Sequence, residues 1–316
     1  MNGPDPIAFV GQGDAAMVSG WLAALNAAMP NERVVAFADL DQAGRARCKL
    51  AIVANPDPAE LKLLPQLAWV HSVWAGVERL VADLGGSGLQ LTRLVDPQLS
   101  AAMAEAVLAW TLYLHRDMPR YVRLQRERRW QPQPYVPADR RTVGILGLGA
   151  LGEEAARALL QARFKVCGWS RSPRQLDGVQ SFSGEAGLAA MLGMSDILVC
   201  LLPLTAETRG LLDAARLAML PAGAGLINFA RGPIVDDAAL RQALDARRLR
   251  HAVLDVFAVE PLPPDSWHWG HPEVTVLPHI SAPTDRESAA AIVAGNVRRY
   301  RQTGEIPANV DLRRGY

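Results

Sequence analysis

Short apolar runs alternate with stretches of helical spacing along most of the chain. Runs rich in Val, Ile and Leu predict buried strands, and apolar positions that recur every three or four residues predict helices. Strands that alternate with helices form parallel sheets through right-handed crossovers. In the first hundred residues the pattern predicts strands at 7–11, 33–37, 50–55, 67–73 and 89–95, and helices at 14–29, 57–65 and 77–84.

A different pattern occupies residues 98–129, where helical spacing continues with a single Pro. It predicts one long helix between two lobes. The arginines in its later part predict a solvated face, with an anion-binding face as the alternative. The Pro-rich segment 130–141 is predicted to be extended, because each Pro restricts itself and the residue before it.

From residue 142 the alternation resumes with more continuous apolar runs, which predict a sheet covered on both faces. The predicted strands are TVGILG, KVCGWS, DILVCLL, AGLINFA, HAVLDVF and VTVLPH, and the predicted helices are 151–162, 185–193, 212–219 and 236–247. A last helical segment, 285–306, is expected to return to the first lobe. The predicted fold class is α/β, with two doubly wound parallel-sheet lobes.

Composition narrows the class of protein. The chain has 316 residues, half of them hydrophobic, and a net charge of +1, which together indicate a two-domain globular enzyme. A near-neutral charge gives no support to a nucleic acid or membrane partner. Cys48, Cys167 and Cys200 lie far apart in or beside apolar runs, which favours buried reduced thiols over a disulfide or a zinc site. With neither a signal peptide nor a long apolar span, the expected location is the cytoplasm.

The sequence GLGALG follows a predicted strand and opens a predicted helix, with Gly147, Gly149 and Gly152 in a GxGxxG spacing. In this context the motif indicates a dinucleotide site: the glycines permit a tight turn, a close approach of the backbone to a pyrophosphate, and close packing of helix on strand. The helix N-terminus then favours the phosphates. A strand–helix turn of purely structural importance is the alternative.

The stretch CGWSRSPR lies where an NAD site normally carries an acidic residue that binds the ribose hydroxyls. Ser170, 18 residues beyond Gly152, takes that position and is followed by Arg171 and Ser172. An acid would repel a 2′-phosphate, whereas an arginine fork and two hydroxyls suit one. The sequence therefore predicts a preference for NADP(H), with NAD(H) still possible; an exposed loop without selectivity is the alternative.

Three further polar residues follow predicted strands: Arg231 in INFARGPIVDD, Glu260 in LDVFAVEPLPP and His279 in VTVLPHISAPT. Ligands of open α/β sheets bind beyond the carboxyl ends of the strands, so these side chains are expected to face one crevice. Arginine binds a carboxylate and polarises a keto oxygen, a charged histidine donates a proton, and a carboxylate keeps the histidine charged and oriented. The trio predicts reduction of a 2-keto acid.

These motifs, in this order and spacing, resemble the D-2-hydroxyacid dehydrogenase family over nearly the whole chain. Within that family, CGWSRSPR, VQSFSG and PLPPDSWHWGHPEVTVLPHISA are most similar to the bacterial A-type glyoxylate/hydroxypyruvate reductases. The resemblance implies a Rossmann domain at 98–284, including the helix 98–129, inserted in a flavodoxin-like substrate domain formed by 1–97 and 285–316. It also implies a homodimer built largely on the Rossmann domain.

By the same resemblance, the chain reduces glyoxylate to glycolate and hydroxypyruvate to D-glycerate, with His279 as the proton donor, Glu260 as its partner and Arg231 as the substrate anchor. Backbone amides of a loop in the first lobe, Trp74, Ala75 and Gly76, are implied to bind the substrate carboxylate. The implied cofactor-binding residues are Gly147, Gly149, Ala150, Leu151, Gly152, Ser170, Arg171, Ser172, Leu202, Pro203, Thr208, Phe229, Ala230, Asp255 and Ser281.

Other interpretations stay open. The substrate is alternatively a larger aryl or branched 2-keto acid, or the chain is a dinucleotide-sensing binding protein, since related folds serve as corepressors. His71 and His115 are interpreted as structural. The spacing of His268 and His271 is compatible with a metal site, but a loop packed by Trp267 and Trp269 is favoured, because no cysteine or acid cluster accompanies the two histidines.

Overall fold

The chain divides into two compact units in a computed structural model that describes residues 5–312. Met1–Gln98 and Thr284–Tyr316 form unit 1, and Leu99–Pro283 form unit 2. Residues 1–4 and 313–316 of the predicted substrate domain lie outside the described residues. Residues 1–4 also belong to the N-terminal segment in which no signal peptide is predicted. Unit 2 is thus inserted between the two segments of unit 1.

The strands and helices follow the predicted alternation closely. In chain order the strands are β1 (Ile7–Gly11), β2 (Val34–Ala36), β3 (Leu50–Ala54), β4 (Trp69–Ser72), β5 (Gln90–Thr92), β6 (Thr142–Leu146), β7 (Lys165–Trp169), β8 (Val179–Phe182), β9 (Ile197–Cys200), β10 (Ala224–Asn228), β11 (Leu249–Leu254) and β12 (Val274–Val276). The helices are α1 (Ala15–Ala28), α2 (Gln42–Arg47), α3 (Pro58–Lys62), α4 (Glu78–Leu84), α5 (Pro97–His115), α6 (Met118–Arg126), α7 (Ala150–Gln161), α8 (Gly184–Met194), α9 (Ala214–Met219), α10 (Asp237–Asp245) and α11 (Arg286–Thr303).

Each unit contains one parallel sheet. The order in unit 1 is β2-β1-β3-β4-β5, and the order in unit 2 is β12-β11-β10-β9-β6-β7-β8. In unit 2 the chain runs outward from β6 through β7 to β8 and then returns to β9 on the other side of β6. This reversal is the topological switch point, where open α/β sheets bind ligands. The predicted fold class, with a Rossmann sheet inserted in a flavodoxin-like unit, is confirmed.

Both sheets are covered on both faces. Along β9, Ile197 and Val199 pack into one apolar cluster while Leu198 and Cys200 pack into another. This alternation follows from the two-residue period of a strand, and it explains the continuous apolar runs in the sequence. In unit 1, α11 packs Val293 and its apolar neighbours into the cluster that contains Trp21 of α1, so the last helix returns to the first lobe as predicted.

The prediction of one helix over 98–129 is wrong. The structure has two helices, α5 and α6, separated at Arg116 and Asp117. Asp117 has a φ of +56°, in the left-handed region that an α-helix cannot include. Pro119 reinforces the break, because it has no amide hydrogen to continue the helical ladder. The arginines of the predicted solvated face are exposed except Arg123, which is half-buried and paired with Glu273.

Two short elements, β8 and α2, were not predicted from the sequence. The strand β8 lies at the edge of its sheet, where Gln180 is exposed and its neighbours are half-buried, so its sequence lacks a continuous apolar run. The helix α2 has six residues and begins after Asp41, whose side chain accepts the amide of Gly44. Short, half-exposed elements carry too few apolar positions to show a period.

All three cysteines are buried and free. Burial raises the pKa of the Cys167 thiol to about 11 and that of Cys200 to about 12, so both stay protonated at neutral pH. Within residues 5–312, no helix combines the length and apolarity needed to span a membrane.

Candidate active site

The glycine loop joins β6 to α7 at the switch point. Gly147 has a φ of +103°, which strongly favours glycine. A Cβ on Gly152 would lie 1.9 Å from the carbonyl oxygen of Gly147, so the helix approaches the strand too closely for any side chain. A Cβ on Gly149 would meet no atom within 4 Å, so the loop is open on that side. This geometry fits the three roles that a dinucleotide pyrophosphate requires of such glycines.

The glycine loop packs on β7 through Leu148 and leads into the N-terminus of α7. Leu148 is buried under Gly168 of β7, where a Cβ would lie 2.5 Å from its Cδ2. Gly149 caps α7, and the exposed Ala150 and half-buried Leu151 begin the helix. Their amides belong to the first turn, which has no intrahelical acceptors and favours an anion.

The loop after β7 carries the residues predicted to select the cofactor. Ser170 is buried, and its hydroxyl donates to the carbonyl oxygen of Ser172 at 2.7 Å, so its side chain shapes the loop. Arg171 and Ser172 are exposed. Arg174 is a second exposed cation on the same loop that the sequence interpretation passed over. No acidic side chain occupies the end of β7 or the three positions that follow it.

The loop after β9 lies beside the glycine loop. A Cβ on Gly147 would lie 2.9 Å from the carbonyl oxygen of Leu201 and 3.2 Å from the amide nitrogen of Leu202. Thr208 organises this loop: its hydroxyl donates to the carbonyl oxygen of Pro203 at 2.7 Å and accepts the amide of Thr205 at 2.8 Å. Hydrogen bonding to Thr205 and, further, the charge of Arg171 lower the pKa of the exposed Glu207. Because the Gly147 amide also donates to the carbonyl oxygen of Trp169 at 2.9 Å, the loops after β7 and β9 both border the glycine loop.

The turn after β10 holds Arg231. The preceding Phe229 and Ala230 are buried, and the guanidinium of Arg231 donates to the carbonyl oxygen of Ala230 at 2.7 Å. Asn228, at the end of the strand and buried, donates to the carbonyl oxygen of Arg231 at 3.1 Å and accepts the amide of Ala230 at 3.2 Å. Asn228 therefore fixes the turn, a role that no spacing in the sequence indicated.

Glu260 and His279 form a pair. The Oε2 atom of Glu260 lies 2.8 Å from Nδ1 of His279, and its Oε1 atom accepts the amide of Phe257 at 2.8 Å. An ionised carboxylate only accepts hydrogen bonds, so Nδ1 of His279 carries a proton and Nε2 is the atom available for proton transfer. The side chain of His279 is 51% exposed and that of Glu260 is 35% exposed, so the pair is accessible from solvent.

The backbone around this pair is also close to Arg231. A Cβ on Gly232, the residue after Arg231, would lie 2.1 Å from the carbonyl carbon of Phe257. The turn of Arg231 and the segment that leads to Glu260 therefore pack backbone against backbone. The structure thus brings Arg231, Glu260 and His279 to the carboxyl ends of adjacent strands.

Asp255 holds the loop that carries His279. It is only 2% exposed, and its two carboxylate oxygens accept the amides of Ile280 at 2.8 Å and Ser281 at 2.9 Å. His279 has a φ of +56°, a strained conformation for a residue with a Cβ. Two charge-assisted hydrogen bonds offset that strain. The predicted cofactor contact of Asp255 stays a prediction beside this role.

Ser281 contributes an unusual group. Its hydroxyl is buried and has no hydrogen-bond partner among residues 5–312. Buried hydroxyls are normally bonded, so this one fits a ligand group. This hydroxyl and the open side of the glycine loop are both compatible with a bound dinucleotide.

The predicted substrate loop lies in unit 1, after β4. Trp74, Ala75 and Gly76 are half-buried, and the amide of Trp74 donates to the Ser72 hydroxyl at 3.0 Å. The Trp74 indole packs edge-on against Trp21 at 5.6 Å. Its Nε1 is buried and finds no acceptor in the described chain. Trp74 is thus partly a core residue, and its role in binding stays a prediction.

His71 and His115 are buried. His71 lies between the carbonyl oxygen of Ser72 at 3.0 Å and Nδ2 of Asn296 at 2.9 Å, and burial lowers its pKa to about 4. Burial and the nearby arginines also lower the pKa of His115. Both side chains are neutral at physiological pH, which fits their structural interpretation.

Removing the Asp255 carboxylate tests its hold on the loop that carries His279. We expect Asp255→Ala to reduce the free energy of unfolding by about 2–5 kcal/mol, because two buried amides lose their acceptors. Hydrogen exchange at the amides of Ile280 and Ser281 should accelerate. The control, Asp285→Ala, removes an exposed helix cap and should cost about 1 kcal/mol without affecting those amides. Unchanged protection at both amides in Asp255→Ala would contradict this role.

Comparison with known proteins agrees with this geometry. Residues 108–281 match the model of the D-isomer specific 2-hydroxyacid dehydrogenase NAD binding domain. The chain is 39% identical over 304 residues to glyoxylate/hydroxypyruvate reductase A of Serratia proteamaculans (strain 568), covering 94% of this chain and 96% of the relative.

Two solved structures are similar over nearly the full length. A D-isomer specific 2-hydroxyacid dehydrogenase from Xanthobacter autotrophicus Py2, in complex with NADPH and MES, is 41% identical with a TM-score of 0.91 and covers 99% of each chain. An NADPH-dependent glyoxylate/hydroxypyruvate reductase from Sinorhizobium meliloti, in complex with NADP and sulfate, is 35% identical with a TM-score of 0.91, covering 99% of this chain and 100% of that one. The chain therefore belongs to the D-isomer specific 2-hydroxyacid dehydrogenase family.

Proposed function

We propose that this protein is an NADPH-dependent reductase of small 2-keto acids, converting glyoxylate to glycolate and hydroxypyruvate to D-glycerate. The observation that carries the proposal is the Glu260–His279 pair, 2.8 Å apart, next to the turn of Arg231. A relative and a structural neighbour that are named glyoxylate/hydroxypyruvate reductases support the substrate class. The reduced cysteines fit a cytoplasmic location, which stays a prediction.

The mechanism assigns one task to each side chain. When bound, the reduced nicotinamide supplies the hydride to the keto carbon. The Arg231 guanidinium binds the substrate and polarises its keto oxygen. His279 donates the proton on Nε2 to that oxygen as the hydride arrives. Glu260 accepts a hydrogen bond from the Nδ1–H of the ring, and its negative charge stabilises the charged ring until the Nε2 proton is transferred.

The dinucleotide is assigned to the carboxyl edge of the sheet in unit 2. Gly147, Gly149 and Gly152 would hold the pyrophosphate, with the amides of Ala150 and Leu151 beside them. Leu202, Pro203, Thr208, Phe229, Ala230, Asp255 and Ser281 are proposed to line the rest of the cofactor site. Trp74, Ala75 and Gly76 are proposed to bind the substrate carboxylate through their amides.

The preference for NADPH rests on the loop after β7. Ser170 is buried where an acid would repel a 2′-phosphate, and Arg171 and Ser172 are exposed beside it. A guanidinium forms paired hydrogen bonds with phosphate oxygens, so Arg171 is the main proposed contact. NADPH and NADP in the neighbouring structures support this cofactor.

A panel of keto acids assayed with both reduced cofactors tests the function. We expect turnover of glyoxylate and hydroxypyruvate, with kcat/KM higher for NADPH than for NADH. Arg171→Ala should raise KM for NADPH by about 10–100-fold, because one charge-assisted hydrogen bond to the phosphate is lost. KM for NADH should stay unchanged, because NADH has no 2′-phosphate. The control Arg126→Ala removes an exposed arginine of α6. A wild-type preference for NADH would refute the cofactor assignment, and turnover confined to aryl or branched keto acids would refute the substrate.

Substitution of the catalytic residues separates their roles. His279→Gln should lower kcat by about 10²–10⁴-fold, the usual contribution of a general acid, while the Kd for NADPH stays the same. Arg231→Ala should raise KM and lower kcat, because an anchor acts in both the ground and transition states. Steady-state kinetics and NADPH fluorescence titrations measure both effects. A variant with near-normal turnover would lose its assigned role, and NADPH binding without turnover in the wild type would favour a dinucleotide sensor.

The protein is proposed to be a homodimer built on unit 2. A mostly apolar concave surface there is lined by α5, including Ala106, Ala109 and Trp110, and by Leu277 and Ile280, with Glu105 and Ser281 as its polar members. Ile280 is 57% exposed, and a large apolar side chain in such a surface favours a protein partner.

Light scattering after size-exclusion chromatography tests the dimer. We expect the mass of two chains for the wild type. Ala109→Arg should yield the monomer, because it places a charge in the apolar surface. The control Ala190→Arg changes an exposed alanine of α8 and should remain dimeric. A monomeric wild type would refute the proposal.

A further inference from the structure

A second histidine–carboxylate pair lies outside the proposed catalytic trio. The Nε2 atom of His268 is 2.8 Å from Oδ1 of Asp237, and its Nδ1 atom is 2.8 Å from the hydroxyl of Ser266. The other carboxylate oxygen of Asp237 accepts the indole N–H of Trp267 at 2.8 Å. The Asp237 carboxylate, in the first turn of α10, thus ties down two consecutive residues of the loop before β12.

The ring of His268 is buried and fully bonded. Its side chain is 7% exposed, whereas that of Asp237 is 56% exposed. The carboxylate accepts only, so Nε2 of His268 carries a proton. Hydrogen bonding to His268 is the main cause of the lowered pKa of Asp237. The Ser266 hydroxyl is able to donate to a neutral ring or accept from a charged one, so the arrangement fixes the ring in either state.

His268 also packs against the segment that orients Glu260. Trp267 stacks on one side of the ring, with centroids 4.0 Å apart and planes at 25°. Phe257 meets the ring edge-on at 5.1 Å. The Phe257 amide is the group that binds Oε1 of Glu260, and Oε2 of the same carboxylate binds His279. Contacts therefore run without interruption from Asp237 through His268 and Phe257 to Glu260.

The backbone of the Phe257 segment is also closely packed. The backbone of Phe257 and Ala258 presses on Gly232, where a Cβ would lie 2.1 Å from the first and 2.4 Å from the second. Gly232 therefore contacts the backbone of Phe257 and His268 contacts its ring, so both parts of the residue are packed. A shift of the His268 ring leaves space into which Phe257 can move, and the Glu260 carboxylate would move with it.

We propose that the Asp237–His268 pair is a positioning element that holds the Phe257 amide, and through it the carboxylate of Glu260, in the geometry that serves His279. The effect on turnover rests on the proposed function. The effect on the Phe257 amide does not, so the two can be measured separately. His268 and Asp237 are positioning residues and are given no part in the chemistry.

A neighbouring pair in the same loop supplies the matched control. His271 lies 3.2 Å from Asp245, which is the last residue of α10. Asp237 and Asp245 thus tether one loop to the two ends of one helix. The ring of His271 contacts Trp267 at 5.5 Å, and its Nδ1 accepts the amide of Glu273. Asp245→Asn therefore weakens a loop tether of the same chemical kind at the opposite end of the helix.

Three variants of the full chain, compared with the control Asp245→Asn, separate positioning from general stability. His268→Leu keeps an apolar side chain and removes both hydrogen bonds, and Asp237→Asn removes the charged acceptor. His268→Gln is the conservative variant, because its amide nitrogen replaces Nε2 as the donor to Asp237. For each variant we would measure hydrogen exchange of the Phe257 amide, KM for NADPH and thermal stability. We would also measure kcat, normalised to the concentration of NADPH-binding sites.

We expect His268→Leu and Asp237→Asn to accelerate exchange at Phe257 and to lower kcat by about 10–100-fold, since small displacements of catalytic groups cost that much. KM for NADPH should stay unchanged. His268→Gln should restore most of both losses, and Asp245→Asn should show neither even where its Tm falls. If His268→Leu does not fold, Asp237→Asn carries the test.

Normal exchange at Phe257 and normal kcat in Asp237→Asn or His268→Leu would overturn the proposal. So would equal losses in Asp245→Asn, because the effect would then be one of general loop stability. A wild-type protein without keto-acid turnover but with faster Phe257 exchange in His268→Leu would refute the proposed function and leave the positioning intact.

Discussion

The carboxylate of Glu260 is the group on which the proposed chemistry depends. One oxygen accepts the amide of Phe257, three residues beyond the end of the buried strand β11, and the other accepts from the histidine. The first bond fixes the position of the carboxylate, and the second fixes the tautomer and direction of the ring. A glutamate side chain alone has several rotamers, so it would orient His279 poorly without the Phe257 amide. The packing around Phe257 therefore contributes to the geometry of the Glu260–His279 pair.

The parallel sheet of unit 2 explains why these groups meet. Parallel strands end at one edge, and the glycine loop, the Arg231 turn and the His279 loop each follow such an end. Close backbone contacts then set the spacing: Gly152 against Gly147, Gly147 against Leu201, and Gly232 against Phe257. At each contact a side chain would displace a neighbouring backbone. The sheet brings the loops together, and the absence of side chains at these contacts lets them approach one another.

Much of this arrangement was predictable from the sequence, and the parts that were not share a physical cause. Buried strands show continuous apolar runs because both faces of the sheet are covered, so their positions were clear. The break at Asp117 was not, because a single left-handed residue leaves the helical spacing on either side unchanged. The trio of Arg231, Glu260 and His279 was visible as polar residues after strands. The supports provided by Asn228 and Asp255 were not, because hydrogen bonds between loops have no period along the chain.

Asp255 and Glu260, five residues apart, hold different parts of the His279 loop. Asp255 binds its backbone, and Glu260 binds the His279 side chain. Asp255 is buried, and both its oxygens are engaged by backbone amides, so it acts on the loop and its left-handed residue. Glu260 is partly exposed and keeps one oxygen for the ring, so it acts on the proton. Burial shields the two hydrogen bonds of Asp255 from competing water, whereas the partial exposure of Glu260 leaves the ring beside it accessible. The two acids thus hold the backbone of one loop and the side chain that it carries through separate contacts.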